Sequence, residues 1–240
     1  MMYQSRHEAL AGGGAAAGRL TAVPAVAALP AVAGMHAPHA STRYERWVKP
    51  CIDRVLAAVL LLALSPVLLA VAAAVWRELG APIILRQRRV GLGGSAFTVY
   101  KFRTMRPCRR LQPLDWIAGE RRVIHKHPQD PRLTPVGRFL RAWSLDELPQ
   151  LFNVLKGDLS LVGPRPELVD IVARYEDWQH RRHQVRPGVT GLWQVSARGD
   201  GLMHEHVDID LRYAERVSLL QDLKILLLTI PAVLGMRRGY

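Results

Sequence analysis

The chain has 240 residues, 49% of them hydrophobic, which is enough for one or two domains with a buried core. Its formal net charge of +13 predicts an anionic partner: nucleic acid, an anionic membrane surface or a phosphorylated substrate. The two cysteines, Cys51 and Cys108, match neither a disulfide framework nor a metal-ligand spacing. We therefore exclude a disulfide-stapled protein and expect both thiols to be reduced, as in the cytoplasm.

Residues 1–43 form a first segment that is rich in Ala, Gly, Pro and Val and has no helical or strand periodicity. This composition predicts a disordered, low-complexity tail. A secretory signal peptide is the alternative interpretation, because the segment is apolar and contains many small residues. Pro24 and Pro30 interrupt the segment and its basic start is weak, so we favour the tail.

Residues 55–75 carry no charge over 21 positions. A straight helix of this length would span roughly 31 Å, about the hydrocarbon thickness of a bilayer. Ser65 and Pro66 lie at the midpoint, where proline kinks or breaks a helix and a serine hydroxyl can bond a freed carbonyl. Both flanks are basic, which favours the cytoplasmic side for both ends. These features leave two interpretations for residues 44–80, a re-entrant kinked helix or a single straight span.

Residues 81–105 predict a short β-hairpin, because β-branched and aromatic residues flank a glycine-rich turn at 91–94. The glycines are not a dinucleotide-binding fingerprint, since no helix opens after them. Residues 86–110 contain eight Lys and Arg and no Asp or Glu. Such a basic face can lie on anionic lipid, and some of its cations can also bind phosphate.

Residues 111–128 are predicted to be an irregular loop with a short helix. Thr134 is the expected N-cap of the next helix, with Pro135 at its first position, and this helix should run to about Ser144. A second helix should begin there, because Ser144 followed by Glu147 is the pattern of a capping box. A capping role for the pair would require no catalysis.

The remaining elements follow from turn residues and periodicity. Residues 156–158 predict a turn, and residues 163–166, Gly-Pro-Arg-Pro, predict a rigid extended segment. An amphipathic helix is expected over 168–182 and another turn over 186–191. The apolar stretch 219–234 predicts a helix that lies in or against the membrane interface.

Asp146 and Glu147 are adjacent carboxylates in a strongly basic part of the chain. Phosphoryl chemistry needs both a basic cradle and a carboxylate, which either holds a metal or attacks phosphorus. A nucleic-acid-binding module would need aromatic stacking positions or a recognition element. The tryptophans show no such interleaving with basic residues, so we expect no nucleic-acid partner.

Three motifs carry a resemblance to a known family: KFRTM at 101–105, DPRLTPVGRFLRAWSLDELPQLFNVLKGDLSLVGPRPE at 130–167 and RPGVTGLWQVSARGD at 186–200. With them the chain resembles, over about residues 45–238, the bacterial sugar transferases. These are the monotopic polyprenyl-phosphate phosphoglycosyl transferases. The resemblance implies an α+β, mostly helical fold, in which a small membrane-associated catalytic domain follows a re-entrant kinked helix and contains a short hairpin.

The resemblance also implies an activity. The family transfers a sugar 1-phosphate from a UDP-sugar to undecaprenyl phosphate, which forms an undecaprenyl-diphosphate sugar and UMP and initiates exopolysaccharide, capsule or glycan synthesis. Asp146 falls on the nucleophile that makes a covalent aspartyl-phosphosugar, and Glu147 falls on the ligand of Mg²⁺. The alternative is a catalytically inactive membrane scaffold for glycan assembly.

Further expectations come with the resemblance. It favours re-entry for the bend at Ser65 and Pro66, and it gives three parts: a tail at 1–43, the membrane helix at 44–80 and the catalytic domain at 81–240. The protein is expected at the cytoplasmic face of the inner membrane, in contact with membrane lipids and downstream glycosyltransferases. The candidate substrate-phosphate ligands are five basic residues: Arg165, Arg138, Arg141, Lys101 and Arg103.

Overall fold

The computed structural model describes residues 39–106, 130, 132–196 and 206–233. This part of the chain is mostly helical and contains two two-stranded sheets. The predictions for the tail up to residue 38, for Cys108 and for the irregular loop at 111–128 lie outside the described residues. Cys51 is a free, exposed thiol.

A bent helix pair begins the described chain. One π-helical turn, Tyr44–Val48, leads into α1, Lys49–Ala63, and α2 follows as Ser65–Leu79. The two axes bend by 64° at the break, and the Ser65 hydroxyl donates to the Leu62 carbonyl at 2.7 Å. The predicted kink is therefore confirmed, and its cause is the donor that proline lacks.

The length and apolar character of this pair set it apart. Across the described ranges no single helix is long and apolar enough to cross a bilayer. The two halves of the bent pair, taken together, are long and apolar enough, judged by length and composition only. Many of its leucines and valines are exposed, with Leu62 at 79% and Leu69 at 72%.

The predicted hairpin is confirmed as two antiparallel strands, β1 at Ile84–Val90 and β2 at Ala96–Phe102. Ile84 pairs with Phe102 at one end of the ladder, and Val90 pairs with Ala96 at the other. Gly93 adopts a φ of 64° in the connecting turn, a conformation that glycine reaches without steric cost.

Helix α3 spans Pro135–Ala142 and begins as predicted. The Thr134 side chain accepts a hydrogen bond from the Gly137 amide at 3.0 Å, and Pro135 occupies the first turn. The Thr134 cap is thus confirmed. The helix ends at Ala142, two residues before the predicted end.

The predicted capping box at Ser144 is wrong. Ser144 has a left-handed backbone with φ of 55°, and its side chain makes no capping hydrogen bond. Only a 3₁₀ turn, Leu145–Glu147, follows it, and the next helix, α4, begins later and spans Gln150–Lys156. Reversal of the chain at Ser144 replaces the expected helix start, so the acidic pair lies in a tight turn.

A second sheet joins segments that are far apart in the sequence. Strand β3, Ser160–Val162, pairs in parallel with β4, Gly188–Thr190. The predicted turn at 186–191 is therefore partly a strand. The predicted amphipathic helix over 168–182 is also wrong, because the chain forms a short α5, Val169–Val172, and then a 3₁₀ helix, Asp177–Gln184.

In the described ranges after β4 the chain forms three helices: α6 at Leu192–Ser196, α7 at Val207–Glu215 and α8 at Leu219–Val233. Helix α8 confirms that the apolar stretch from 219 is helical. Ile225 faces the core at 1% exposure, whereas Leu220 and Leu227 are 78% and 60% exposed. This helix therefore has one packed face and one exposed apolar face.

A buried polar network fastens the start of α1 to α8. Lys49 Nζ lies 2.5 Å from Asp222 Oδ2, and both residues are buried. The hydroxyls of Tyr44 and Tyr213 each donate to the Asp222 carboxylate at 2.7 Å. Asp53 of α1 accepts from the Ser160 hydroxyl at 2.7 Å and so contacts β3. The base of the bent pair is thus attached to the domain that follows it.

Candidate active site

Glu147 is held by two cations. Its Oε1 accepts a hydrogen bond from Lys101 Nζ at 2.9 Å. Arg165 makes a two-pronged contact with the same carboxylate, from Nη2 to Oε1 at 2.6 Å and from Nη1 to Oε2 at 3.3 Å. Each of the three side chains is at most 22% exposed, so water screens these ion pairs only in part.

Three separate elements bring these groups together. Lys101 lies near the end of β2, opposite Leu85 of β1. Glu147 ends the 3₁₀ turn after the reversal at Ser144. Arg165 comes from the extended stretch 163–167, termed here the proline segment. The sequence separates these residues by 18 and 46 positions, so local propensity alone cannot assemble the site.

The two carboxylates, termed here the dyad, have pKa values that move in opposite directions. Burial acts to raise the pKa of Glu147, but Arg165 and Lys101 outweigh it and hold that pKa well below its usual range. Burial, with the negative charge of Glu147, raises the pKa of Asp146 to about 6. Glu147 is therefore a fixed anion, and Asp146 is the group that titrates.

The predicted basic ligands are distributed unequally around the dyad. Lys101 and Arg165 contact Glu147, and Arg141 lowers the pKa of Asp146 through its charge while its Nε donates to Thr104 Oγ1 at 3.0 Å. The structure thus brings these three cations together with the dyad.

Arg138 and Arg103 have other contacts. Arg138 is exposed, and its Nη1 donates to the Leu133 carbonyl at 3.3 Å. Arg103 donates to the carbonyls of Leu79 and Gly80, at the C-terminal end of α2. The geometry gives Arg103 a helix-capping contact, and phosphate binding by either arginine stays a prediction.

Two arginines near the dyad were not predicted from the sequence. Arg89 Nη1 donates to the Pro166 carbonyl at 3.1 Å and to Glu167 Oε1 at 3.2 Å. Burial lowers the pKa of Arg89 to about 10. Arg182 Nη2 donates to the Arg165 carbonyl at 2.6 Å. Arg89 stands in the basic stretch, but no sequence signal distinguishes Arg182 from its neighbours, which are also basic.

The dyad is the candidate metal-binding group. Among the described residues, no group of three or more His, Cys, Asp and Glu side chains is arranged to hold a metal ion. A carboxylate has about four acceptor positions. Lys101 and Arg165 fill three of these positions on Glu147, which leaves room for a further ligand contact.

Fold and site together define a small, mostly helical protein whose carboxylate pair lies among buried cations, an arrangement suited to anionic groups. The sequence model of the family described as "Bacterial sugar transferase" matches residues 44–236. The chain therefore belongs to the bacterial sugar transferase family, a family of enzymes.

Several relatives have names that state an activity. The chain is 44% identical over 161 residues to "Galactosyl transferase CpsE" of Streptococcus agalactiae, covering 66% of this chain and 36% of that protein. It is 43% identical to "Undecaprenyl-phosphate galactose phosphotransferase" of Salmonella typhimurium, covering 82% and 43%. A Caulobacter vibrioides protein, "UDP-glucose:undecaprenyl-phosphate glucose-1-phosphate transferase", is 42% identical, with coverage of 80% and 72%. The chain thus spans less than half the length of the first two relatives.

Proposed function

We propose that this protein transfers a sugar 1-phosphate from a UDP-sugar to undecaprenyl phosphate, which yields UMP and an undecaprenyl-diphosphate sugar. In the family to which the chain belongs, named relatives act on UDP-glucose and undecaprenyl phosphate and on galactose as the transferred sugar. The product would be the first lipid-linked intermediate of an exopolysaccharide or another surface glycan.

The proposed reaction has two steps, and Asp146 is the nucleophile. An Asp146 carboxylate oxygen attacks the phosphorus that bears the sugar, and the bond from this phosphorus to the oxygen of UMP breaks. UMP leaves with the bonding electron pair. A phosphate oxygen of undecaprenyl phosphate then attacks the same phosphorus and releases the Asp146 carboxylate. A covalent intermediate divides one difficult transfer into two easier ones.

The single observation that carries this proposal is the unequal environment of the dyad. A nucleophile needs an accessible, unpaired lone pair, and Glu147 is instead occupied by Lys101 and Arg165. No ion pair within 4.0 Å is found for Asp146 in the described part of the chain. Asp146 is therefore the better candidate to attack, while the cations around Glu147 can stabilise the charge that develops on phosphate oxygens.

Magnesium is the proposed cofactor, and Glu147 is its proposed ligand. Mg²⁺ in phosphoryl-transfer sites is held by one or two carboxylates together with substrate phosphates and water, which fits a site with two carboxylates. When bound, it would neutralise part of the diphosphate charge that otherwise repels Asp146. Lys101 and Arg165 hold the Glu147 carboxylate in place, and one acceptor position of this carboxylate is left for the metal.

A position at the cytoplasmic face of the inner membrane is part of the proposal. The exposed apolar residues of the bent pair and of α8 would be covered by lipid. The acceptor is itself a lipid phosphate, so a site held at the membrane surface meets its second substrate there. Re-entry of the bent pair would keep both of its ends on the side of the catalytic domain.

The experiment that tests the function uses the purified protein with Mg²⁺ and either UDP-glucose or UDP-galactose, without an acceptor. We expect a burst of about one UMP per active site and a mass increase of one sugar phosphate on the peptide that contains Asp146. Asp146→Asn should abolish both signals. Asp208→Asn, at an exposed aspartate paired with Arg212, is the matched control and should retain them.

Two results would contradict the proposal. An adduct that persists in Asp146→Asn would place the covalent bond on another residue. A wild-type protein that releases no UMP from any UDP-sugar, with or without undecaprenyl phosphate, would exclude the activity itself.

A further inference from the structure

Arg182 is a charged residue buried in the core, at 2% exposure, that plays no part in the two proposed steps. We propose that Arg182, paired with Asp210, is a positioning residue that fixes the guanidinium of Arg165 by holding the main-chain carbonyl of the same residue. This inference rests on the proposed function, because it assigns Arg182 to the alignment of Glu147 for phosphate transfer.

The proline segment depends on its carbonyl groups for its position. Prolines have no N–H to donate, so Pro164 and Pro166 can be held only through acceptor groups and packing. Four consecutive carbonyls each accept a hydrogen bond: Pro164 from the Gly188 amide at 2.9 Å, Arg165 from Arg182 at 2.6 Å, Pro166 from Arg89 at 3.1 Å and Glu167 from the Val90 amide at 3.0 Å. Two of the four donors are guanidinium groups, and charge-assisted bonds are the stronger kind.

Arg182 is the donor nearest to the functional side chain. Its bond reaches the carbonyl of the residue whose guanidinium grips Glu147 with contacts of 2.6 and 3.3 Å. A shift of the main chain at Arg165 would directly change the hydrogen bonds between its guanidinium and Glu147. Misplacement of a catalytic group by about 1 Å can cost roughly 100-fold in rate.

The surroundings of Arg182 explain how a buried cation can be kept there. Its Nη2 also donates to Asp210, which is 1% exposed, and its Nη1 donates to the Tyr175 hydroxyl at 2.8 Å. Nη2 carries two hydrogens, so one amino group serves Asp210 and the Arg165 carbonyl at once. Well-packed apolar residues in place of a buried ion pair are often as stable or more stable, so the burial of this pair is weak evidence for a stabilising role. The ion pair is therefore better explained by orientation than by stability.

A double-mutant cycle tests the inference by measuring the rate of UMP release. Arg182→Lys keeps the charge but not the planar donor group, and we expect a roughly 10-fold to 100-fold lower kcat with little change in KM. Arg165→Lys should lower the rate by itself. If Arg182 acts through Arg165, adding Arg182→Lys to the Arg165→Lys protein should cost less than about 3-fold more.

Arg212→Lys is the matched control, because Arg212 pairs with Asp208 on the exposed surface of α7. This substitution should leave UMP release unchanged in both the wild-type and the Arg165→Lys protein. Should Arg182→Lys fail to fold, Tyr175→Phe removes one acceptor of the guanidinium while leaving Asp210, and the same cycle applies with a smaller loss. Equal fold-losses in both backgrounds, or wild-type activity in Arg182→Lys, would overturn the inference.

Hydrogen–deuterium exchange gives a readout that does not depend on activity. Arg182→Lys should accelerate amide exchange in the peptide that contains the proline segment, while Arg212→Lys should not. Unchanged exchange in that peptide would overturn the inference even where activity falls. If Arg182→Lys shows faster exchange but the wild-type protein releases no UMP, the proposed function is refuted. The contact between Arg182 and Arg165 is then still supported.

Discussion

Asp146 and Glu147 are adjacent in the chain, yet their surroundings move their pKa values in opposite directions. The difference comes from geometry. Glu147 forms hydrogen bonds with Lys101 and Arg165, whereas the pKa of Asp146 is set mainly by burial and by the charge of Glu147. Pairs of carboxylates separated in this way can divide two roles between them. The sequence alone indicated the two residues, but it wrongly predicted a capping box at a helix start around them, where the structure has a tight turn.

The raised pKa of Asp146 predicts a pH dependence for the first step. A protonated carboxylic acid is a poor nucleophile, so single-turnover UMP release should rise with pH around the Asp146 pKa of about 6 and level off above it. Glu147→Gln removes the negative charge that helps to raise this pKa, and Lys101 and Arg165 remain. The midpoint should therefore move to lower pH, whatever happens to the maximal rate.

The measurement is a single-turnover rate series across this midpoint at UDP-sugar concentrations well below saturation, where the pH dependence reports the free enzyme. Asp208→Asn is the control for an unrelated exposed carboxylate. A midpoint that stays in place in Glu147→Gln, or moves to higher pH, would show that Glu147 does not act on Asp146 through its charge.

At the scale of elements, local signals were sufficient where the contacts are local. The hairpin followed from its glycine turn, the start of α3 from Thr134 and Pro135, and the kink from Pro66. The helix expected over 168–182 failed because tertiary contacts override its periodicity. Arg182, which an amphipathic helix would expose, instead turns inward to meet Asp210 and the proline segment.

The parallel pairing of β3 with β4 was also beyond the sequence, since its partners are 28 residues apart, from Ser160 to Gly188. Parallel strands need a crossover, and no short motif announces which two segments will meet. The basic residues of the site could be named from composition and motif. The sequence did not show which of them contact the dyad, because Arg103 and Arg141 look alike in the sequence and differ only in the groups that the fold places beside them.

Gly188 lies where β4 packs closely against the start of the proline segment. A Cβ at Gly188 would lie 2.1 Å from the Gly163 amide nitrogen and 2.5 Å from the Thr190 carbonyl oxygen, and neither backbone atom can move freely. Gly188→Ala should therefore lower the free energy of unfolding by about 1–3 kcal/mol. UMP release should also fall, because the amide of residue 188 holds the Pro164 carbonyl.

The control is Gly93→Asn, at a hairpin glycine with a φ of 64° and open space around it. Asparagine tolerates this left-handed conformation, so both stability and activity should stay close to wild type. Thermal unfolding and initial rates, measured on both variants in the same detergent, decide the matter. Gly188→Ala with the stability and rate of the control would show that the two strands can separate without disturbing the site.

At the scale of the whole molecule, both ends of the bent pair are tied to the same body. The start of α1 is fastened through Lys49 and Asp222 to α8, and the end of α2 is fastened through Arg103, which follows β2. A straight crossing would put these two ends on opposite sides of a hydrocarbon layer about 30 Å thick. Helix α8, which also carries exposed leucines, contacts the start of α1 through Asp222. Re-entry, which is part of the proposed function, would keep all of these contacts.

Single-cysteine labelling tests this topology in the full chain. Cys51 and Cys108 are replaced by serine, and one cysteine is introduced at Arg46, before α1, or at Arg77, near the end of α2. Both positions are exposed. With a membrane-impermeant maleimide, both cysteines should react in inside-out vesicles and be protected in right-side-out ones, as should a cysteine at Arg212 in α7 that reports the catalytic domain. Labelling of positions 46 and 77 from opposite sides would mean that the pair crosses the bilayer, and the contacts of Lys49 and Arg103 could not then exist together in the membrane.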